Sequence, residues 1–198
     1  MTSLLLHQAG IPTPPTWVAE SEAQARALLM REVARGHELV LKPLFGSQGA
    51  GLRRLAQPAD LPPAEEYRNV FYLQRYVGAE AGGWEDYRVL VIGGVSRAAM
   101  TRKGVSWINN VAQGAACEAA PNDPELFRLA EAATRALDMD YAGVDLLRDR
   151  SGRLTVLEVN SIPAWRGLQS VVAEDIASML ADDLIDRHVQ NSAKARCA

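Results

Sequence analysis

The sequence predicts an α+β protein in which antiparallel hairpins alternate with amphipathic helices. Two observations carry this. Strand-like runs occur in pairs joined by turn residues: Tyr87–Ile92 with Val95–Met100 across Gly93-Gly94, and Tyr141–Arg148 with Arg153–Val159 across Asp149–Gly152. Apolar residues at helical spacing lie outside those pairs, at Ala25, Leu28, Leu29 and Val33, and at Leu126, Leu129, Ala130, Ala133 and Leu137. A chain of 198 residues has room for one good-sized core or two small lobes.

In order along the chain, Ser3–Ala9 predicts a short helix ended by Gly10, and Ile11–Pro15 an extended, proline-stiffened connector. Thr16–Val18 reads as a brief strand. Ser21 is an N-cap for a helix running to Arg35, with Gly36 as its stop. Leu39–Leu44 and Leu52–Leu55 are strands around a glycine-rich loop. Pro58–Pro63 is a loop, and Val70–Tyr76 a strand whose end, Gln74–Val77, leads out of a first lobe as a connector. Gly78–Gly83 and the polar Trp107–Gly114 are loops. Asn122–Pro124 starts a helix that runs to about Asp138. After a Pro163–Gly167 loop, Ser170–His188 is a final helix with Ile176, Met179, Leu180 and Leu184 inward. The tail from Gln190 is small and polar, and reads as frayed. The expected division is a first lobe over 1–74, a second over 75–189 and a tail over 190–198.

Bulk properties narrow the function classes. A net charge of −3 gives no reason to expect nucleic acid or an anionic membrane as partner. Cys117 and Cys197 are far apart and lack metal-type spacing. No apolar run approaches membrane-spanning length, and Met1 is not followed by a basic segment and apolar core, so a cytoplasmic location is expected.

The chemistry concentrates in the Tyr141–Gly167 stretch. Side chains alternate along a strand, so Glu158 and Asn160 share a face. A two-residue turn at Ser151-Gly152 sets Asp145 opposite Glu158; a four-residue loop over Asp149–Gly152 sets it opposite Val156, with Glu158 diagonal. Either way two carboxylates and an amide oxygen converge among apolar neighbours, where uncompensated charge is costly. An all-oxygen set suits Mg²⁺. Asp and Glu on a hairpin are commonly just solvated; the apolar surroundings argue otherwise. Lys42, inside Leu-Val-Leu-Lys-Pro-Leu, needs an anion for its ammonium or a route to water. Gly46, Gly49 and Gly51 follow it, and free the backbone to wrap an anion. This is not a Walker A loop, because the lysine precedes the glycines. Arg88, Arg102 and Lys103 form a basic rim suited to phosphate or carboxylate.

Taken together, Val40-Leu-Lys42-Pro, Gly46–Gly51, Gln74-Arg-Tyr, Asp86-Tyr-Arg88, Ala99-Met-Thr-Arg102, Asn110, Ala142-Gly-Val-Asp145 and Glu158-Val-Asn160-Ser-Ile-Pro163 resemble an ATP-grasp ligase of the RimK type. Asn160–Gln169 also resembles the tetrahydromethanopterin–glutamate ligase-like branch. The resemblance implies an ATP-grasp fold, two α+β lobes with antiparallel sheets gripping ATP between them. It implies phosphate contacts from Lys42, Ser47, Gly49 and Gly51, an adenine lined by Gln74, Arg75 and Tyr76, and Asp86 near the ribose. Asp145, Glu158 and Asn160 would hold two Mg²⁺, with Mn²⁺ as a substitute, and Arg102, Asn110 and Arg88 would face the transferring phosphate or acyl group.

The implied activity is ADP-forming ligation of an amino acid, L-glutamate, to an acceptor carboxylate on a pterin or on a peptide or protein C-terminus. A homo-oligomer is expected. An ATP-binding module without ligase activity, or another carboxylate–amine ligase on this fold, are the alternatives. Relatives normally carry a preceding α/β domain, and the chain begins almost where the lobes should. Gln113-Gly114-Ala115 and Trp165-Arg166 depart from the family pattern on the acceptor side.

Overall fold

A computed structural model describes residues 2–45, 49–78, 83–111 and 114–190. Two antiparallel sheets form its framework. Strands β1 (Thr16–Ala19), β2 (Leu39–Lys42), β3 (Arg53–Leu55) and β4 (Phe71–Arg75) make a four-stranded sheet in the order β1-β4-β2-β3. Strands β5 (Trp84–Ile92), β6 (Val95–Gly104), β7 (Ala116–Ala119), β8 (Tyr141–Arg148) and β9 (Leu154–Asn160) make a five-stranded sheet in the order β7-β6-β5-β8-β9.

The strand pleat decides what each sheet offers to either side. In the smaller sheet Leu39, Leu41, Leu55, Phe71 and Leu73 turn to one core, which helix α2 (Glu22–Val33) closes with Ala25 and Leu29. Ser21 caps α2 as expected, its hydroxyl accepting from the Gln24 amide. The alternate residues Val40, Lys42, Tyr72 and Gln74 line the opposite face. In the larger sheet Val89, Val91, Val144, Leu146 and Val156 pack with Leu126, Ala130 and Ala133 of α3 (Pro124–Ala136). Its other face is apolar at one end, where Leu90, Ile92 and Met100 meet Leu168 of α4 (Arg166–Gln169) and Ile176 of α5 (Ile176–Leu184). It is charged at the other end.

Helix α1 (Thr2–Gln8) sits with the larger sheet: Leu6 is buried in the α3 core, and the Val156 amide donates to the Pro12 carbonyl at 2.8 Å. The segment expected to open the first lobe therefore packs on the second, and the smaller sheet begins only at Thr16.

Several boundaries move. Strands β5 and β6 run from Trp84 and to Gly104, longer than their apolar cores suggest. Strand β7 lies in a stretch with no apolar alternation. The cap of α3 is Asp123, one residue beyond Asn122. The last helix starts at Ile176 instead of Ser170, capped by Asp175, and Leu184 is 57% exposed instead of inward. The β8–β9 hairpin matches neither expected turn. Arg148 pairs with Leu154, and an irregularity between Asp145 and Leu146 then brings Asp145 opposite Glu158. The extra residue is Leu157, a β-bulge that flips the alternation. Val156 thus faces the α3 core, while Glu158, two residues on, faces away from it.

Candidate active site

Between the two sheets lies a cleft of about 1010 Å³, lined from one side by Val40, Lys42, Tyr72 and Gln74 and from the other by Asp86, Arg88, Arg102, Asp145, Glu158 and Asn160. Register builds the charged wall. Asp86 on β5 pairs with Arg102 on β6, and two residues along, Arg88 pairs with Asp145 on β8, itself opposite Glu158 on β9. Two neighbouring rows of the sheet thus carry Asp86–Arg102 and Arg88–Asp145–Glu158, the second with two acids side by side.

The guanidiniums are shared unevenly. Arg88 grips Asp145 in a fork, Nε to Oδ1 at 2.7 Å and Nη2 to Oδ2 at 2.8 Å. Arg102 grips Asp86 likewise, at 2.6 and 2.9 Å, and its Nη2 lies 3.2 Å from Asp145 Oδ2. Burial raises the carboxyl of Asp145, but Arg102 and Arg88 outweigh it and hold the group below the ordinary range. Asp86 is forked by Arg102 alone, and burial, with repulsion from Asp145, pushes it up to about 6 against Arg102 and the more distant Arg88. Burial opposes the charge on Arg102, yet Asp145 and Asp86 raise its value overall.

Glu158 differs. Its carboxylate accepts no hydrogen bond from the described residues; burial by the cleft walls and repulsion from Asp145 push it up, and Lys42, Arg88 and Arg102 offset them only in part. Its surface is open to the cleft, and among Asp86, Asp145 and Glu158 it is the acid that no guanidinium of the described residues forks. Lys42 is its counterpart across the gap: burial lowers it, while Glu158 and Asp145 pull it back up.

The expected residues fall as follows. Lys42, Gly49, Gln74, Arg75, Tyr76, Asp86, Arg88, Arg102, Asn110, Asp145, Glu158 and Asn160 all line the one cleft. Ser47 lies outside the described residues, as do Gly46, Gln113 and Cys197. Gly51 is not among the residues that line the cleft; its φ is 76°, and a Cβ on it would stand 3.3 Å from Pro43 Cγ. Gln74 is buried, its amide donating to Thr16 Oγ1 at 3.3 Å. Arg75 contributes main chain only, since its guanidinium turns away to Glu32 of α2 at 2.6 Å. Asp86 lines the cleft with each carboxylate oxygen accepting one hydrogen bond from Arg102, which leaves a further lone pair on each.

Two side chains missed by sequence reading matter. Asn109, not only Asn110, is built into the site: it is buried and donates from Nδ2 to the Arg102 carbonyl at 2.7 Å. Trp107 meets the Tyr76 ring edge-on at 6.2 Å between centroids, tying the connector to the 105–111 loop. No periodic signal marks either one. Gly49, with φ 79°, approaches that loop so closely that a Cβ there would stand 2.6 Å from Ile108 Cγ2 and 2.8 Å from Asn110 Nδ2. Trp165 and Arg166 line an open depression of about 670 Å³ beside the cleft.

The donor set fits a hard divalent cation. Glu158 and Asn160 present oxygen with no protein partner among the described residues, and the raised Glu158 carboxyl marks negative charge that a cation would relieve. No cluster of three or more His, Cys, Asp or Glu suited to a metal occurs among the described residues, so any such site combines two carboxylates with an amide.

Two antiparallel α+β lobes enclosing a charged cleft define an ATP-grasp fold, and solved structures agree. The chain superposes on D-cycloserine synthetase DcsG with a TM-score of 0.70 at 24% identity, covering 93% of this chain and 68% of that one. It matches the ATP-grasp ligase PsnB, complexed with minimal precursor, Mg and ADP, with a TM-score of 0.70 at 24% identity, covering 93% and 56%. More particularly, the chain belongs to the RimK-like ATP-grasp domain family, which it matches over residues 1–184. It is 36% identical over 191 residues to the tetrahydromethanopterin:alpha-L-glutamate ligase of Methanococcus maripaludis, and 32% identical over 190 residues to a probable alpha-L-glutamate ligase of Parasynechococcus marenigrum. The matches cover 93% of this chain, and 64% and 40% of those proteins. No helix among the described residues is long and apolar enough to cross a membrane.

Proposed function

We propose that this chain is the ATP-grasp portion of an ADP-forming carboxylate–amine ligase that joins L-glutamate to an acceptor carboxylate. The observation that carries the reading is a half-buried Lys42 on the smaller sheet and Glu158 on the larger lining one cleft together with Arg88 and Arg102. Family membership and the names of the relatives supply the reaction class.

In this reading an acceptor carboxylate oxygen attacks the γ-phosphorus of ATP, and the bond to the β-bridging oxygen breaks to release ADP. The α-amine of glutamate then adds to the acyl phosphate carbon; inorganic phosphate leaves, the nitrogen loses a proton, and an amide remains. No side-chain nucleophile is required. Lys42 and the Gly49–Gly51 backbone hold phosphate from the smaller lobe. Main chain at Gln74–Tyr76 lines the base. Arg88, Arg102 and Asn110 orient the anionic reacting groups, so the protein's work is positioning and charge stabilisation. Asp145, Glu158 and Asn160 would hold two Mg²⁺, or Mn²⁺ in their place, which neutralise the polyphosphate when bound. A pterin or a peptide or protein C-terminus as acceptor, a homo-oligomeric state and a cytoplasmic location complete the proposal.

A second reading, a partner-dependent ATP-binding module, draws on one observation: both oxygens of Asp145 are already taken by guanidiniums. One experiment separates the two. ADP release from Mg-ATP and L-glutamate, measured with and without pterin or peptide acceptors, should depend on acceptor and vanish in Glu158→Gln. ATP binding with no acceptor-stimulated release would sink the ligase reading for this chain and leave the module.

A further inference from the structure

The segment that follows β9 is built rigidly around two side chains that no step of the proposed reaction uses. Pro163 is buried and packs so closely on β8 that a Cβ at Gly143 would stand 2.6 Å from Pro163 Cβ. The Ala164 carbonyl accepts from Arg88 Nη1 at 3.5 Å. Leu168 is buried among Leu90, Met100 and Ile176. Gln169 closes the segment with both ends of its amide: Nε2 donates to the Glu174 carbonyl at 2.9 Å, and Oε1 accepts from the Ile176 amide at 2.9 Å. Between these anchors stand Trp165 and Arg166, the pair that departs from the family pattern. Trp165 is half-buried on the Leu168 core and lines the open depression of about 670 Å³. Arg166 is exposed and lines both that depression and the main cleft.

The other arginines lining the cleft are engaged: Arg75 with Glu32, Arg88 with Asp145 and Arg102 with Asp86. Arg166 has no acid partner among the described residues. Asp175 lines the depression but not the cleft, and Ser178 holds it, donating to Oδ2 from its hydroxyl at 2.6 Å and its amide at 3.0 Å. Those bonds keep the Asp175 carboxyl below the ordinary range, so the acid is charged. An anion is thus drawn to the end of the depression that opens on the cleft, and repelled from the other. We infer that Arg166 is a specificity-determining residue that holds a substrate carboxylate which takes no part in the reaction. A guanidinium can take both oxygens of a carboxylate in a fork, and Trp165, Ala164 and Pro163 offer apolar surface to the carbon chain behind it. The inference rests on the ligase reading for its substrates. Glutamate brings two unreacting carboxylates, and an acceptor with a second acid group brings another.

The first arm of the test needs no turnover. With Mg-ADP present, titration calorimetry measures affinity for two sets of probes. One set is L-glutamate with its two monoamides, glutamine and isoglutamine. The other is a short peptide ending in glutamate and the same peptide ending in glutamine. In the wild type, loss of the held carboxylate should weaken binding about 10- to 100-fold, the range of a hydrogen bond to a charged group. In Arg166→Gln that difference should shrink to within about twofold, and Arg166→Lys should recover part of it. The set that responds names the source, amino acid or acceptor. A preference that survives in Arg166→Gln, or one missing from both sets in the wild type, would overturn the inference. Arg166 is exposed, so neither variant should disturb folding.

In the second arm, Arg166→Gln should raise KM for the responding substrate about 10- to 100-fold with kcat within about threefold, the pattern of binding that is equal in ground and transition states. KM for ATP should stay within about twofold of the wild type, on the same reasoning. Weakened ATP binding with the carboxylate preference intact would make Arg166 a phosphate contact and overturn the inference. A fall in kcat alone would do the same, since it would place Arg166 on the reacting group. Failure of the ligase reading looks different: the wild type itself shows no acceptor-dependent ADP release, while the first arm still reports on the carboxylate.

Discussion

The two walls of the cleft handle charge in opposite ways. The larger sheet carries three acids and two guanidiniums in adjacent rows, and four of the five are forked to one another. The smaller sheet carries Lys42 among Val40, Tyr72 and Gln74, and the charges that face it among the described residues, Glu158 and Asp145, lie across the gap. One wall is a prearranged ionic lattice in which Asp86, Arg102, Arg88 and Asp145 are paired before any ligand arrives and Glu158 is left over. The other holds a cation whose compensation depends on what fills the cleft. Folding should therefore depend on the first wall and ligand capture on the second.

The largest expected effect on stability comes from breaking the lattice. Arg102→Met leaves Asp86 and Asp145 short of a counter-charge in a buried setting, and should cost about 3–5 kcal/mol in urea unfolding. A loss below about 1 kcal/mol would mean that the lattice is not what holds this wall. Next comes Gly49→Ala. A φ of 79° is costly for any L side chain, about 1–2 kcal/mol, and the new methyl would collide with Ile108 and Asn110. The variant should unfold earlier by that amount and bind ATP more weakly, since the loop can no longer rest on its neighbour.

Glu158→Gln sharpens the comparison through pH. The Glu158 carboxyl is raised from an ordinary value of 4.5. The folded state thus keeps a proton that the unfolded chain has given up, and stability from this group falls as pH rises from about 4.5 through the raised value. The variant should lack that downward slope in unfolding curves taken across the range and be no less stable than wild type at neutral pH, while turnover is lost. Mg²⁺ should flatten the wild-type slope as well. The smallest effect on stability is expected from Lys42→Met, within about 0.5 kcal/mol. Its consequence should appear as lost ATP affinity in calorimetry, and a large stability loss instead would erase the distinction between the walls.

Much of the site was legible in the sequence because its key residues sit on strands of regular apolar pattern. Asp86 and Arg88, two apart, and Glu158 and Asn160, two apart, had to share a face once the strands formed. What escaped had physical reasons. The bulge at Leu157 leaves no mark in the pattern, because Val156 and Glu158 are spaced as if they shared a face. Strand β7 is a short edge strand with largely exposed side chains, so no burial shapes its composition. Arg75 sits where the main chain lines the cleft, but its long side chain takes the nearer acid, Glu32, on the other face. The start of α5 was set by the Asp175 cap instead of by Ser170, and α1 joined the second core because Leu6 is buried there.

The path of the N-terminal segment has a mechanical consequence. The chain leaves the larger lobe after Pro12, enters the smaller at Thr16, and returns beyond Arg75. The two crossings run side by side, stitched by the Arg75 amide on the Pro15 carbonyl at 2.8 Å, with the Tyr76 amide on the Glu38 carbonyl at 2.8 Å beside them. Two bodies joined by a single tether can swivel freely, whereas a pair of neighbouring tethers removes most of those degrees of freedom and leaves a bend about the line through them. Prolines at 12, 14 and 15 stiffen one of the pair. Jaw-like bending is thus the relative movement that the connectivity permits most readily, and it carries Lys42 towards or away from Glu158 as a single coordinate.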